Sequence, residues 1–135
     1  MNTELVAKSW DSLGDRKRAV IESFYDRFFE RFPQYRQFFP ESMDHQMNRM
    51  VHTIAMAARL SDDESTVELH MVHVGERHKP YHLAKADLMN FKAVFIENMG
   101  EHCQDLWNES YAKAWDEVFV EVIVPLMMQG LGDKQ

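Results

Sequence analysis

Apolar residues recur every three or four positions along most of the chain, which is the spacing of one face of an α-helix. The pattern predicts helices over about 3–13, 15–32, 41–60, 85–99 and 106–128, with a further helix between about 61 and 80. Alternation with a period of two, typical of strands, is not sustained anywhere, and no hairpin signal such as Asn-Gly occurs. The sequence therefore predicts an all-α fold.

Glycine, proline and capping residues mark the expected helix ends. Gly14 and Gly100 stand where a glycine commonly stops a helix. Ser61 opens a Ser-x-x-Glu segment of the capping-box form, so it is expected to cap the next helix. Pro33 suits the first position of a short helix, and Pro125 is expected to kink the last one. No repeat, linker or low-complexity tract interrupts the chain, so a single domain over residues 1–135 is expected.

One histidine lies on the inward face of the helix that ends near Pro80. Val67, Met71, Val74 and His78 follow each other at helical spacing, so all four share one stripe. Pro80 cannot continue a helix, which places His78 in its last turn. A single inward histidine is more often a hydrogen-bonded core residue than a metal ligand, so its role depends on residues elsewhere.

Two polar residues also lie on or beside inward faces. Tyr25 stands in an aromatic face of the second helix, and Gln46 lies one turn before Met50 on the methionine-rich stripe of the next long helix. A buried hydroxyl or amide needs a hydrogen-bond partner. A bound polar ligand would be such a partner.

Composition narrows the functional classes. The formal net charge is −7 at pH 7 and no block of lysine or arginine occurs, which argues against binding to nucleic acid or to an anionic membrane surface. Cys103 is the only cysteine, so an internal disulfide is impossible and a reducing compartment is expected. No secretion signal or membrane-spanning stretch is recognised, and we therefore expect a cytoplasmic protein.

Five segments, taken in order, resemble the globin family, in particular the single-domain bacterial haemoglobins and the haem domain of flavohaemoglobins. They are the first-helix pattern at 5–10, the stretch 24–33 with its tyrosine and proline, Phe39 at 14 residues after Tyr25, Gln46, and the segment 73–81 that contains His78. Gln46 precedes His78 by 32 residues, which suits the separation of the distal and proximal positions in that family. The resemblance covers nearly all of the chain.

This resemblance implies a globin-like helical sandwich that encloses a haem pocket. A b-type haem would lie between the helix with Gln46 and the helix with His78, and His78 would be the proximal ligand of a five-coordinate iron. Its other ring nitrogen would donate to a carbonyl near Val74. Side chains expected to pack on the haem or line the pocket are Phe39, Met50, Ile54, Val74, Phe91, Phe95, Phe119 and Val122. Each of these is as readily an ordinary core residue.

The resemblance also implies a function. Tyr25 and Gln46 would donate hydrogen bonds to bound O2, which indicates reversible binding of O2, NO or CO. The alternatives are a nitric oxide dioxygenase that depends on a separate reductase, a gas or redox sensor, and a haem-free signalling module. Flavohaemoglobins back the proximal histidine with a tyrosine and a glutamate, whereas this chain has Leu88 and Leu126 at about those positions.

Several residues around the expected pocket have two possible roles. Arg77 and Lys79 flank the proposed ligand and would pair with the haem propionates, although basic residues at a helix end also complement its dipole. His82, four residues after His78 and beyond Pro80, would reach a propionate or would be a solvated loop histidine. An internal sixth ligand from His45, His52 or Met50 is a further possibility. The sequence leaves the oligomeric state open.

Overall fold

The computed structural model describes residues 1–132, and the last three residues of the expected 1–135 domain lie outside that range. Within residues 1–132 the backbone forms helices and no strand, which confirms the all-α prediction. The seven α-helices of this range are α1 (Thr3–Ser12), α2 (Lys17–Arg31), α3 (Asp44–Ala58), α4 (Glu64–Arg77), α5 (Lys85–Cys103), α6 (Glu109–Val118) and α7 (Val124–Leu131). None of these described helices has the length and apolarity that crossing a bilayer requires.

Short 3₁₀ helices connect several of these elements. They span Gly14–Arg16, Pro33–Phe38, Lys79–Tyr81 and Gln104–Leu106. Gly14 has a φ of 56°, the left-handed conformation expected of a glycine that ends a helix. Pro33 occupies the first turn of its short helix, as its spacing predicted.

The cap of α4 differs from the expectation. Asp63, not Ser61, is the N-cap residue, and its carboxylate accepts hydrogen bonds from the backbone N–H and the hydroxyl of Thr66. Ser61 lies in the preceding turn because the helix begins at Glu64. The capping-box prediction for Ser61 was therefore wrong, although the acidic segment does supply the cap.

Gly100 does not end α5, contrary to the prediction. The helix continues to Cys103, and a Cβ atom at position 100 would lie only 2.8 Å from the indole nitrogen of Trp107. The glycine thus marks a close approach of Trp107 to the helix. Such a site is indistinguishable from a helix stop in sequence alone.

The last predicted helix is divided by a π-helical turn over Phe119–Ile123. Pro125 has no N–H group, so the α-helical bond to the carbonyl of Glu121 cannot form there. The N–H of Val124 bonds instead to the carbonyl of Phe119, five residues earlier. The turn adds one residue to the helix and changes which side chains face inward.

Two glycines allow α4 and α7 to pack with their backbones in contact. A Cβ atom at Gly75 would overlap the carbonyl oxygen of Met127, and one at Gly130 would overlap the carbonyl oxygen of Val72. Only glycine permits this separation of the two helices. Because His78 follows directly after α4, the crossing determines where its imidazole lies.

Candidate functional site

A cavity of about 330 Å³ lies between α3 and α4, with α2, α5, α7 and the π turn closing its other sides. This volume is within the range of about 300–1,000 Å³ typical of small-molecule sites. Most of the lining is apolar or aromatic. The polar residues that line it are Tyr25, Tyr35, Gln46, Arg49, Thr53, Arg77, His78, Tyr81 and Asp87.

His78 is the C-cap of α4, and its side chain lines the cavity. Its Nδ1 lies 2.6 Å from the carbonyl oxygen of Val74, one turn earlier. Because a carbonyl oxygen only accepts, Nδ1 must carry the hydrogen and Nε2 keeps its lone pair. Burial lowers the pKa of His78, so the ring is neutral near pH 7. Nε2 has no hydrogen-bond partner within residues 1–132, which leaves it available to a metal ion.

Tyr25 and Gln46 meet in the same cavity, although they come from different helices. The Gln46 Nε2 group donates to the Tyr25 hydroxyl over 3.1 Å, and Tyr25 is only 3% exposed. Burial raises the pKa of the phenol to about 12. The hydroxyl is therefore protonated at neutral pH and can act as a hydrogen-bond donor.

Arg49 extends this pair, which the sequence analysis did not anticipate. Its Nη2 group donates to the Gln46 Oε1 atom over 3.3 Å, and the side chain lines the cavity. Position 49 is one helical turn after Gln46, so the i, i+3 spacing was a signal available in the sequence. The glutamine amide is thus hydrogen-bonded at both ends.

Phe39 lines the cavity next to Tyr25, and their ring centroids are 5.6 Å apart. The Arg36 guanidinium holds this segment by donating to the carbonyl oxygens of Phe39, Pro40 and Glu41 over 3.1, 3.0 and 3.2 Å. These three bonds fix the backbone that carries the phenylalanine.

The globin family model matches residues 22–125 of the chain. The chain belongs to the globin family. Its matched range runs from α2 to the beginning of α7 and includes Tyr25, Phe39, Gln46 and His78. Globins typically bind haem and, through it, diatomic gases. Among curated proteins, no sequence matches the chain.

Most side chains expected to line the globin pocket do so in the structure. They are Tyr25, Phe39, Gln46, Met50, Ile54, Val74, Arg77, His78, Phe91 and Phe119. Three further residues predicted to lie there, Phe95, Val122 and His82, do not line it.

Phe95 lies one layer behind the wall of the globin cavity. Its ring stacks on Phe91 with centroids 6.2 Å apart, and the Trp115 ring packs against it with centroids 5.3 Å apart. Phe91 thus separates Phe95 from the cavity. Both face inward from α5, and helical periodicity does not show which of two inward residues lies deeper.

Val122 is displaced by the π turn. A π-helix has more residues per turn than an α-helix, so the residues that follow Phe119 on the same side are the fourth and fifth. Ile123 and Val124 accordingly line the cavity and Val122 does not. The prediction assumed uninterrupted α-helical periodicity.

The basic residues that flank His78 do not all reach the cavity. His82 is exposed and has a left-handed φ of 54°, and Lys79 is also exposed outside the cavity. Only Arg77 of this group lines it. The expected contact between His82 and a haem carboxylate is therefore not supported.

The structure also distinguishes between the candidates for an internal sixth ligand. His45 and His52 are exposed on α3 and do not line the cavity, whereas Met50 does. Within residues 1–132, no group of three or more His, Cys, Asp or Glu side chains is arranged to hold a metal ion.

A second hydrogen-bonded group in the cavity wall was also not predicted from the sequence. The Tyr35 hydroxyl donates to Asp87 over 2.6 Å and accepts from Asn90 over 3.0 Å. Tyr35 and Asp87 are 52 residues apart, and no local pattern connects them. The contact joins the Pro33–Phe38 helix to the first turn of α5.

Proposed function

We propose that this globin holds a b-type haem in the cavity and binds O2 reversibly at a five-coordinate ferrous iron, with His78 as the protein ligand. The observation that supports this most strongly is the geometry at His78, whose Nδ1 is bonded to the Val74 carbonyl and whose Nε2 has no partner among residues 1–132. The hydrogen-bonded pair Tyr25 and Gln46 lines the same cavity.

The residues present suit this group. Haem iron is commonly held by one histidine, and a ferrous centre is protected when apolar side chains exclude water from it. Here a neutral imidazole faces a cavity otherwise lined largely by aromatic and aliphatic side chains. When bound, the haem would supply the iron centre at which a diatomic gas is taken up.

His78 would be held in one orientation before any ligand arrives. The Val74 carbonyl fixes the tautomer and the ring angle, and a hydrogen bond to the second ring nitrogen increases the basicity of the first. The backbone N–H of His78 also donates to the Gly75 carbonyl over 3.0 Å. Both contacts tie the imidazole to the end of α4.

Tyr25 and Gln46 would stabilise a polarised gas ligand. The Tyr25 hydroxyl is buried and protonated, so it donates in an environment with little water. A hydrogen bond to a charged acceptor contributes about 1.5–3 kcal/mol, which equals roughly one to two orders of magnitude in affinity. We infer tight binding and slow release of O2, with a smaller effect on CO because it is less polar.

Arg77 is the remaining candidate partner for the carboxylates of the haem, since it lines the cavity at the end of α4. Its guanidinium matches the geometry of a carboxylate. His82 is not retained in this role.

Reversible binding is preferred to catalysis because of Leu88. This side chain lines the cavity and is 8% exposed, at about the position where flavohaemoglobins place a tyrosine. A leucine forms no hydrogen bond that would increase electron donation by His78. Nitric oxide dioxygenation would also require a separate reductase, so we propose O2, NO and CO as ligands without a catalytic role.

An absorption spectrum of the purified protein tests the proposal. We expect a Soret band and a five-coordinate ferrous spectrum. His78→Ala should abolish the five-coordinate histidine spectrum, while His73→Ala, which removes an exposed histidine beside Glu76, should leave it intact. Wild-type protein that takes up no haem would refute the proposal, and so would an unchanged spectrum of His78→Ala.

A further inference from the structure

The Gln46 amide lies between two side chains of different hydrogen-bonding character. Its Oε1 atom accepts from the Arg49 guanidinium over 3.3 Å, and its Nε2 group donates to the Tyr25 hydroxyl over 3.1 Å. Arg49 and Gln46 are both on α3, whereas Tyr25 comes from α2. The three groups form one hydrogen-bonded chain that ends in the cavity.

The chemistry of Arg49 determines which way the amide points. The two ends of a glutamine amide have nearly the same shape, so their assignment depends on their partners. An arginine guanidinium has five N–H donors and no acceptor. Only the oxygen end of the amide can therefore face Arg49, and the NH2 end is directed to Tyr25.

This orientation determines what the Tyr25 hydroxyl can do. Its oxygen accepts from Gln46, so its own hydrogen is not used in that contact. Within residues 1–132 the hydroxyl donates to no other group. A reversed amide would present Oε1 to the phenol, take up that hydrogen and remove the donor from the cavity.

We propose that Arg49 is a positioning residue that orients the Gln46 amide and thereby keeps the Tyr25 hydroxyl available as a donor to the gas ligand. The role in ligand binding rests on the proposed function above, whereas the orientation of the amide does not. The Arg49 side chain lines the same cavity as Tyr25 and His78.

Three substitutions at position 49 separate orientation from charge and bulk. Arg49→Lys keeps a group that can only donate, so it should preserve the wild-type orientation. Arg49→Met provides neither donor nor acceptor and leaves the amide free to reverse. Arg49→Glu provides only acceptors, which should attract the NH2 end and reverse the amide.

The orientation of the Gln46 amide can be measured directly by nuclear magnetic resonance, in protein without haem. The wild type and Arg49→Lys should show an Overhauser contact between the Gln46 NH2 protons and the Tyr25 ring protons. Arg49→Glu should lose it. Absence of the contact in the wild type, or its persistence in Arg49→Glu, would overturn the proposal.

The rate of O2 release measures the consequence of the amide orientation for ligand binding. Arg49→Met should speed release about threefold and Arg49→Glu about tenfold, because the latter removes the Tyr25 donor more completely. The CO adduct should show a higher C–O stretching frequency in the same order, since a weaker donor polarises CO less. Arg59→Met is the matched control, because its guanidinium pairs with Asp11 at 2.8 Å, away from the cavity.

A double-mutant cycle shows whether Arg49 acts through Gln46. In a Gln46→Leu background, Arg49→Met and Arg49→Glu should change release by less than about 1.5-fold, since there is no amide left to orient. An undiminished effect in that background would overturn the proposal, because Arg49 would then act on the ligand or haem itself. A wild type without a Soret band but with the expected Overhauser pattern would refute the proposed function and leave the orienting role intact.

Discussion

The Nδ1 atom of His78 lies 2.6 Å from the carbonyl oxygen of Val74, one turn earlier on the same stripe. This contact selects one tautomer, because the carbonyl requires a hydrogen on Nδ1. The other nitrogen is then a lone-pair donor without a partner among residues 1–132. A half-buried and oriented imidazole of this kind is suited to bind a metal rather than to fill a core.

Replacement of Tyr25 by phenylalanine removes the hydroxyl and keeps the ring. We expect Tyr25→Phe to speed O2 release at least about tenfold, because a hydrogen bond to a polarised ligand is lost. Stopped-flow displacement of O2 by CO measures the rate. Tyr111→Phe is the control, since Tyr111 is buried on α6 outside the cavity. A change of less than about twofold in Tyr25→Phe would contradict this role for the hydroxyl.

The pH dependence of release follows from the raised pKa of Tyr25. Because the folded value of about 12 is above the ordinary value of the phenol, Tyr25 stays protonated in the folded protein through pH 10. Its contribution to stability is complete below the unfolded pKa of about 10 and is lost as pH rises through the folded pKa. The O2 release rate should therefore be constant from pH 7 to about pH 10. An increase with a midpoint near pH 10 would show an ordinary, solvated phenol.

The glycines at the crossing of α4 and α7 are predicted to be necessary for the ligand site. Gly75→Ala or Gly130→Ala should force the two helices apart and displace His78, lowering the free energy of unfolding by about 1–3 kcal/mol or more and increasing haem loss. Thermal unfolding and transfer of haem to an acceptor protein measure the two effects.

Gly100→Ala is the matched control for that crossing. Its new Cβ would press on the Trp107 side chain and not on the backbone that supports His78. It should lower the melting temperature with an unchanged rate of haem loss. Equal haem loss in all three variants would mean that general destabilisation, and not the position of His78, is responsible.

Much of the fold was predictable because local signals determine it. Helical periodicity predicted the helices, and Pro80 together with the stripe through Val74 predicted the position of His78. Its hydrogen bond to Val74 was expected only from the resemblance to globins. The main errors arose where a local pattern has two physical meanings. Gly100 allows Trp107 to approach α5 and does not end the helix. The π turn before Pro125 places Ile123, and not Val122, in the cavity wall.

The rest of the cavity wall depends on contacts that no local pattern encodes. Tyr35 reaches Asp87 across 52 residues, and the depth of Phe95 behind Phe91 depends on the packing of α5 against α6. Arg49 was recognisable by its spacing from Gln46, but its effect on the amide follows only from the three-residue chain.

The central claim is that His78 binds the iron of a haem in this cavity. Resonance Raman spectroscopy of the ferrous protein without a gas ligand tests it most directly, because an iron–histidine stretching band is specific for that bond. We predict such a band, a shift when histidine is labelled with ¹⁵N, and its loss in His78→Ala but not in His73→Ala. Wild-type protein that lacks the band, or a band that survives in His78→Ala, would contradict the account.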